Sequence, residues 1–444
     1  MKRLSSLHPA QLIVLAFVAT ILVGSLLLWL PISTAAPGNG SFLTAIFTST
    51  SAVCVTGLIV VDTPTYYTHF GQAVLMGLIQ VGGFGIMTFT SLIALLVARR
   101  LGLRSRLIAQ AEQGALQLGD VRRVILGVAA LSAAFELAAA VVIGGRLWLG
   151  YDYPLGSAAY HGLFHAVSAF NNAGFTLWSD NLIGFVTDGW VSLAVAFTII
   201  AGGLGFPVWF ELRRRPFAPH RWSLHTKLTL TVTGFLLALG TLAILGFEWS
   251  NEATLGALST PGKLLAGFFQ SVSPRTAGFN TVDYASLRPE TLLTTDALMF
   301  VGTGSASTGG GIKVATLAVL ALMVYAEVRG DQLVNAFGRR IPATAQRQAF
   351  TIALIAMTAV VACTLLLMAV SPFSLSQTLF EAISAFGTVG LSTGITADLP
   401  SVGKVILIVL MFLGRVGPYT LGVALILRER ERLFRYPEER PIIG

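Results

Sequence analysis

Residues 47–57 read FTSTSAVCVTG, and the same outline returns at 164–174 (FHAVSAFNNAG), 268–278 (FFQSVSPRTAG) and 380–390 (FEAISAFGTVG). Each copy opens on a phenylalanine (Phe47, Phe164, Phe268, Phe380) and closes ten residues later on a glycine (Gly57, Gly174, Gly278, Gly390). A bulky apolar residue follows each glycine: Leu58, Phe175, Phe279 and Leu391. The glycines lie 117, 104 and 112 residues apart, and apolar blocks flank every copy, so one unit is used four times.

The composition sets the medium. Of 444 residues, 54% are hydrophobic and 11% charged, with mean hydropathy +0.76. A soluble chain carries about a quarter charged residues. Charge is absent from 10–31, 71–98, 191–210, 228–247 and 348–372, while 124–145 holds only Glu136 and 405–427 only Arg415. With 291–328, interrupted by a polar glycine-rich stretch, this makes eight spans of the roughly 20 residues that a bilayer requires. The first block follows Lys2 and Arg3 but exceeds a signal-peptide core, and is read as a retained helix.

If the N-terminus is cytoplasmic, 22 of the 29 Lys and Arg fall on the cytoplasmic side, before the first span, in 99–123, 211–227 and 328–347, and after 427. That is the positive-inside pattern of a multi-pass protein with both termini in the cytoplasm. The net charge of +8 is thus an orientation signal and a partner surface, not a nucleic-acid stripe. Cys54 and Cys363 read as buried thiols, and the six histidines show no zinc-ligand spacing.

The expected fold is an all-α integral membrane protein of four parallel repeats, each span, pore half-helix, span, around a pseudo-fourfold axis. The repeats divide at 1–98, 99–215, 216–330 and 331–444. About ten helical residues cover about 15 Å, half of the ~30 Å hydrocarbon core, so each quoted segment enters and returns. Irregular backbone at that depth has to line water or be buried in protein. Helix C-termini pointed at the axis favour a cation, and glycine permits the positive φ that turns carbonyls inward. The predicted filter comprises Val55, Thr56 and Gly57; Asn172, Ala173 and Gly174; Thr276, Ala277 and Gly278; and Thr388, Val389 and Gly390.

At these residues the chain resembles the superfamily of bacterial Trk and Ktr membrane subunits and fungal and plant Trk/HKT proteins, through all four units. TSTSAVCVTGL (48–58) and SPRTAGFNT (273–281) look like the KtrB branch, the ion-conducting subunit of Ktr systems, and the first span beginning by residue 10 favours it over Trk. The resemblance implies potassium uptake across a bacterial inner membrane, with glycine at all four filter positions going with potassium selectivity. It also implies a homodimer and a peripheral KtrA-like ring whose ATP or ADP occupancy sets the gate. Sodium is a second candidate cation, as coupling or activating ion. This chain itself has no nucleotide-binding domain.

Between Val301 and Val314 the sequence VGTGSASTGGGIKV cannot sustain a lipid-facing helix, because each Gly costs about 1 kcal/mol relative to Ala. By resemblance, Gly302, Thr303, Gly304, Ser305, Thr308, Gly309, Gly310 and Gly311 form an intramembrane gating loop below the filter, and Arg415 faces the axis opposite it as a barrier that binds the loop's carbonyls. A Walker A reading fails because Ile312 separates Gly311 from Lys313, and a dinucleotide fingerprint fails at Ser307. The glycines of VGGFG (Gly82, Gly83, Gly85) and GGLGFP (Gly202, Gly203, Gly205) are assigned to helix packing. Asp62, Asp180 and Asp283, with Asp398 further along, are expected to make the outer mouth negative. Arg275 is expected to brace carbonyls behind the filter.

Two other functions fit the residues less well. An intramembrane enzyme would need a catalytic set in the spans, which hold lone Glu136 and Arg415. A sodium or ammonium pathway would use the same fold.

Overall fold

The structure, a computed structural model, describes residues 9–35, 40–100 and 120–427. Unit one comprises α1 (Pro9–Trp29), α2 (Phe42–Val53) and α3 (His69–Arg100). Unit two comprises α4 (Asp120–Gly150), α5 (Leu155–Phe170), α6 (Gly189–Leu204) and α7 (Phe206–Arg214). Unit three runs through α8 (Leu224–Glu248), α9 (Thr260–Val272), α10 (Pro289–Phe300) and α11 (Val314–Arg329). A two-stranded hairpin, β1 (Asn335–Ala336) and β2 (Arg339–Arg340), leads to unit four: α12 (Ala343–Val370), α13 (Leu375–Gly387) and α14 (Ser401–Leu427). The pattern is span, half-helix, span, four times.

The half-helices α2, α5, α9 and α13 form the centre. Phe47, Phe164 and Phe380 are fully buried in one apolar core together with Leu58, Phe175 and Leu391. In unit three the repeat phenylalanine, Phe268, is only half-buried and its neighbour Phe269 takes the core position beside Phe279. The long spans turn apolar faces outward: on α12, Leu354, Met357, Val361 and Leu365 are at least half exposed while Val360, Thr364 and Leu367 pack inward. Such a surface belongs in lipid, where backbone bonds are satisfied within each helix.

The second spans carry a further repeat. Gly82, Gly202, Gly302 and Gly414 follow their filter glycines by 24 to 28 residues. In three units this glycine lies against the end of its half-helix: an added Cβ would overlap Val53 O at Gly82, Phe170 O at Gly202 and Phe386 O at Gly414. Only hydrogen fits there. The packing role expected of Gly82 and Gly202 is what these contacts represent.

For Gly205 the expectation needs correcting. The span read as 191–210 is not straight: α6 and α7 meet at 94°, and Gly205 makes the corner with φ +86°. In unit three the interruption falls where expected, and a parallel bridge between Val301 and Ile312, with Gly302 N–H donating to Ile312 O at 2.8 Å, closes the loop's neck. The basic segment 101–119 and the C-terminal run 428–444, read as partner surfaces, lie outside the described residues.

Gly414→Ala should therefore lower the thermal unfolding midpoint of the detergent-solubilised protein, since overpacking against fixed backbone costs about 1–3 kcal/mol. Gly234→Ala, where an added Cβ meets nothing within 4 Å, should leave it unchanged or slightly raised.

Candidate ion pathway

Each half-helix stops by a local device. In unit one, Val55 N–H donates to Ala52 O (3.1 Å) and Thr56 N–H to Ser51 O (2.7 Å), with Val55 left-handed at φ +57°. This is a Schellman end, whose left-handed position is usually glycine. Asn172 (φ +59°) and Thr388 (φ +50°) occupy the same position in units two and four, with equivalent bonds to Ala169 O and Ser168 O, and to Ala385 O and Ser384 O. Unit three differs: Thr276 is left-handed at φ +67°, but Ala277 N–H donates to Ser273 O, a single shorter turn. Holding a side-chain-bearing residue there costs roughly 1–2 kcal/mol.

Two residues on, φ is positive again, at Gly57 (+91°), Gly174 (+70°), Gly278 (+75°) and Gly390 (+92°). The four glycines close a ring. An added Cβ on Gly57 would meet Ala173 O, on Gly174 Ala277 O, on Gly278 Val389 O, and on Gly390 Thr56 O. Each glycine thus faces the carbonyl before the next one, in chain order. Of the twelve residues expected to line the filter, eleven are buried and Gly390 is half-buried, and the segments containing them meet at this axis.

Buried polar side chains brace the segments from behind. Ser51 Oγ and Ser384 Oγ accept from Gly57 N–H (3.0 Å) and Gly390 N–H (3.1 Å), while Ser168 donates to Phe175 O (2.7 Å). Unit three has Val272 at that position, and Ser273 donates to Phe279 O instead. His165, stacked on Trp178 at 3.8 Å, accepts from Leu177 N–H through Nε2. Glu381 accepts from Ser392 Oγ, Thr393 N–H (3.1 Å) and Thr396 Oγ1 (2.8 Å). Arg275 turns away from the axis and donates to Thr233 O (3.2 Å) and Thr233 Oγ1 (3.3 Å) on α8, as expected of a brace.

The loop at 302–311 sits directly beneath this ring. A Cβ on Gly309 would overlap Thr276 Oγ1, and one on Gly310 would overlap Thr388 Oγ1. The Asn172 carboxamide is 3.2 Å from both Thr276 Oγ1 and Thr308 Oγ1, joining two segments to the loop. The corner at Gly205 is its seat: Gly304 N–H donates to Gly203 O (2.9 Å), Thr308 N–H to Gly202 O (3.3 Å), and Phe206 N–H to Ala306 O (3.3 Å). Gly302, Thr303 and Gly311 are buried, Ser305 half-buried. Arg415, fully buried, donates to Thr308 O and to Gly82 O (3.1 Å). Arg415 stands one residue after its span glycine, where units one and two have Gly83 and Gly203.

Past the ring glycines along the chain, Asp180 and Asp283 are exposed and Asp62 half-buried. Each also braces a loop. Asp62 accepts from Thr65 Oγ1 (2.6 Å) and Ser179 Oγ (2.8 Å), Asp180 from Gly184 N–H (3.0 Å), and Asp283 from Ala285 N–H (3.0 Å) and Ser286 Oγ (2.9 Å). Among the described residues there is no cluster of three His, Cys, Asp or Glu placed to hold a metal ion.

Sequence reasoning missed the serine braces, although Ser51, Ser168 and Ser384 recur six residues before their glycines. It also missed Glu381, Asn172 as a bridge, and Lys313, which lies against the loop. If Glu381 holds the fourth segment, Glu381→Ala should speed amide hydrogen exchange across 388–396 by at least tenfold, because each orphaned donor costs about 1–3 kcal/mol. Glu381→Gln should show a smaller increase.

Comparison with known proteins places this arrangement. The family model described as TrkH, a cation transport protein, matches residues 3–436. The Ktr system potassium uptake protein B of Bacillus subtilis is 42% identical over 437 residues, covering 98% of this chain and 97% of that protein. The protein of the same name from Vibrio alginolyticus is 38% identical, covering 98% and 94%. The potassium/sodium uptake protein NtpJ of Enterococcus hirae is 34% identical, covering 100% and 98%. The crystal structure of the potassium transporter TrkH from Vibrio parahaemolyticus shares the fold, with TM-score 0.74 and 20% identity over 94% of this chain and 85% of that one. In sequence along nearly its whole length, and in its fourfold fold, the chain belongs to the TrkH family of cation transport proteins.

Proposed function

We propose that this chain is the potassium-conducting subunit of a bacterial uptake system, in which ions pass in single file through the four-segment ring and the loop at 302–311 is the gate. One observation carries the reading: the paired positive φ values in every unit, at Val55 and Gly57, Asn172 and Gly174, Thr276 and Gly278, and Thr388 and Gly390. Positive φ at every second residue is the condition for successive carbonyls to face the same way, and stacked carbonyls replace the water shell of a monovalent cation. Glycine at all four ring positions favours potassium over the sodium reading.

The same reading gives the other elements their roles. Exposed Asp180 and Asp283 concentrate cations at the entrance, screened by salt over about a Debye length. Arg415 acts twice, as a positive barrier beneath the ring and as the anchor holding the loop in place. Opening requires the loop to leave its seat on Gly202 and Gly203. The energy for that step comes from a cytoplasmic partner, a KtrA-like ring binding ATP or ADP, acting on a homodimer in the cell membrane with both termini inside. Sodium acts as a coupled or activating second ion.

Gly57→Ser tests the ring. Its Cβ has to displace the Ala173 carbonyl, so that oxygen cannot stay in place. In liposomes containing the purified chain, rubidium uptake relative to sodium uptake should fall roughly tenfold, the effect of about 1.4 kcal/mol in relative ion affinity. An unchanged ratio would sink the assignment of Gly57 to the filter.

A further inference from the structure

Lys313 closes the gating loop and immediately precedes α11. Its side chain is buried, and its ammonium is drawn back over the preceding turn, donating to Gly309 O and to Gly310 O at 3.3 Å. The carbonyl before those two, Thr308 O, is held by Arg415. Three consecutive carbonyls at the loop tip are thus occupied by two cationic side chains.

A lysine near a helix end usually extends its stem and leaves its charge in water. Burial at membrane depth is costly, and intramembrane charges tend to mark ion pathways. The position is specific. Gly309 and Gly310, whose oxygens hold the ammonium, are the residues that abut Thr276 and Thr388 at the inner end of the ring. An alkylammonium head and a dehydrated potassium ion carry the same charge and are close in size. Backbone oxygens that hold one are suited to hold the other.

We propose that Lys313 is a tethered stand-in for the transported cation. In the closed conformation its ammonium fills the carbonyl site that an ion leaving the ring would enter next, and its charge repels the ion above. This rests on the reading of the ring as a cation pathway. It adds that the loop blocks by charge as well as by bulk, and that opening withdraws a cation from the path. Arg415 cannot play this part in the same way, because its planar guanidinium spans two elements, Thr308 and Gly82, instead of sitting on one turn of the loop.

The experiment is rubidium uptake into liposomes by the purified full chain, comparing wild type with Lys313→Gln, Lys313→Met and Lys313→Arg. A variant lacking 305–310 serves as the open reference, and all are checked for a single species by size exclusion. Gln retains N–H donors for both carbonyls but carries no charge. A tethered cation predicts that Gln and Met both raise uptake, roughly tenfold, while Arg stays near wild type. If Met alone raises uptake, Lys313 is a hydrogen-bonded staple and the proposal falls. It falls equally if neither variant raises uptake while the loop-deleted reference conducts. If the loop-deleted protein itself passes no cation, the pathway reading fails first and carries this inference with it.

Discussion

A helix that stops inside a protein cannot hand its last carbonyls to water, and here this happens four times around one axis. In three units the chain answers with the same reversal. The first amides after the helix fold back onto Ser51 and Ala52, Ser168 and Ala169, or Ser384 and Ala385, so that the last turn is satisfied from within. The reversal forces a left-handed residue, and Val55, Asn172 and Thr388 pay about 1–2 kcal/mol each to occupy it. Glycine then follows at the second left-handed step. The carbonyl-lined ring is thus a product of how the half-helices end.

That ending dictates the spans behind it. A carbonyl at the tip of each half-helix needs a surface without a side chain, and Gly82, Gly202 and Gly414 provide it. Unit three breaks the rule. Its half-helix ends with a shorter turn, its second span comes apart at Val301, and the freed residues fold under the ring. The corner at Gly205 in the neighbouring unit leaves Gly202 O and Gly203 O available to dock those residues. The departures from fourfold regularity in units two and three are complementary halves of one feature.

Much of this was legible in the sequence, because membrane insertion makes a strong one-dimensional signal. Long uncharged blocks, a recurring phenylalanine–glycine interval and a glycine-rich interruption gave the spans, the re-entrant segments and the loop. Arg415 stood out as a charge in an apolar run, and its bond to Thr308 O is the contact that the resemblance implied. What was not legible depends on direction in space. Nothing in GGLGFP distinguishes close packing from a 94° corner, since glycine serves both. The left-handed Val55 and Thr388 run against the preferences of β-branched residues, so no propensity argument could find them. Glu381 and His165 sit in the apolar half-helix outline, and only the fold shows which loop each one supports.

Covalent fusion of the four units has a consequence that a ring of identical subunits could not reach. In a homotetramer any change is copied to every quadrant, so a trapdoor in one wall would appear in all of them. Here Val272 takes the place of the recurring serine in a single quadrant, that quadrant alone interrupts its second span with a loop of about ten residues, and the other three keep their serine braces. Three walls can remain rigid while the fourth is free to move. On the reading proposed above, the linked chain separates the duty of discriminating between ions from the duty of opening and closing, and assigns them to different parts of one ring.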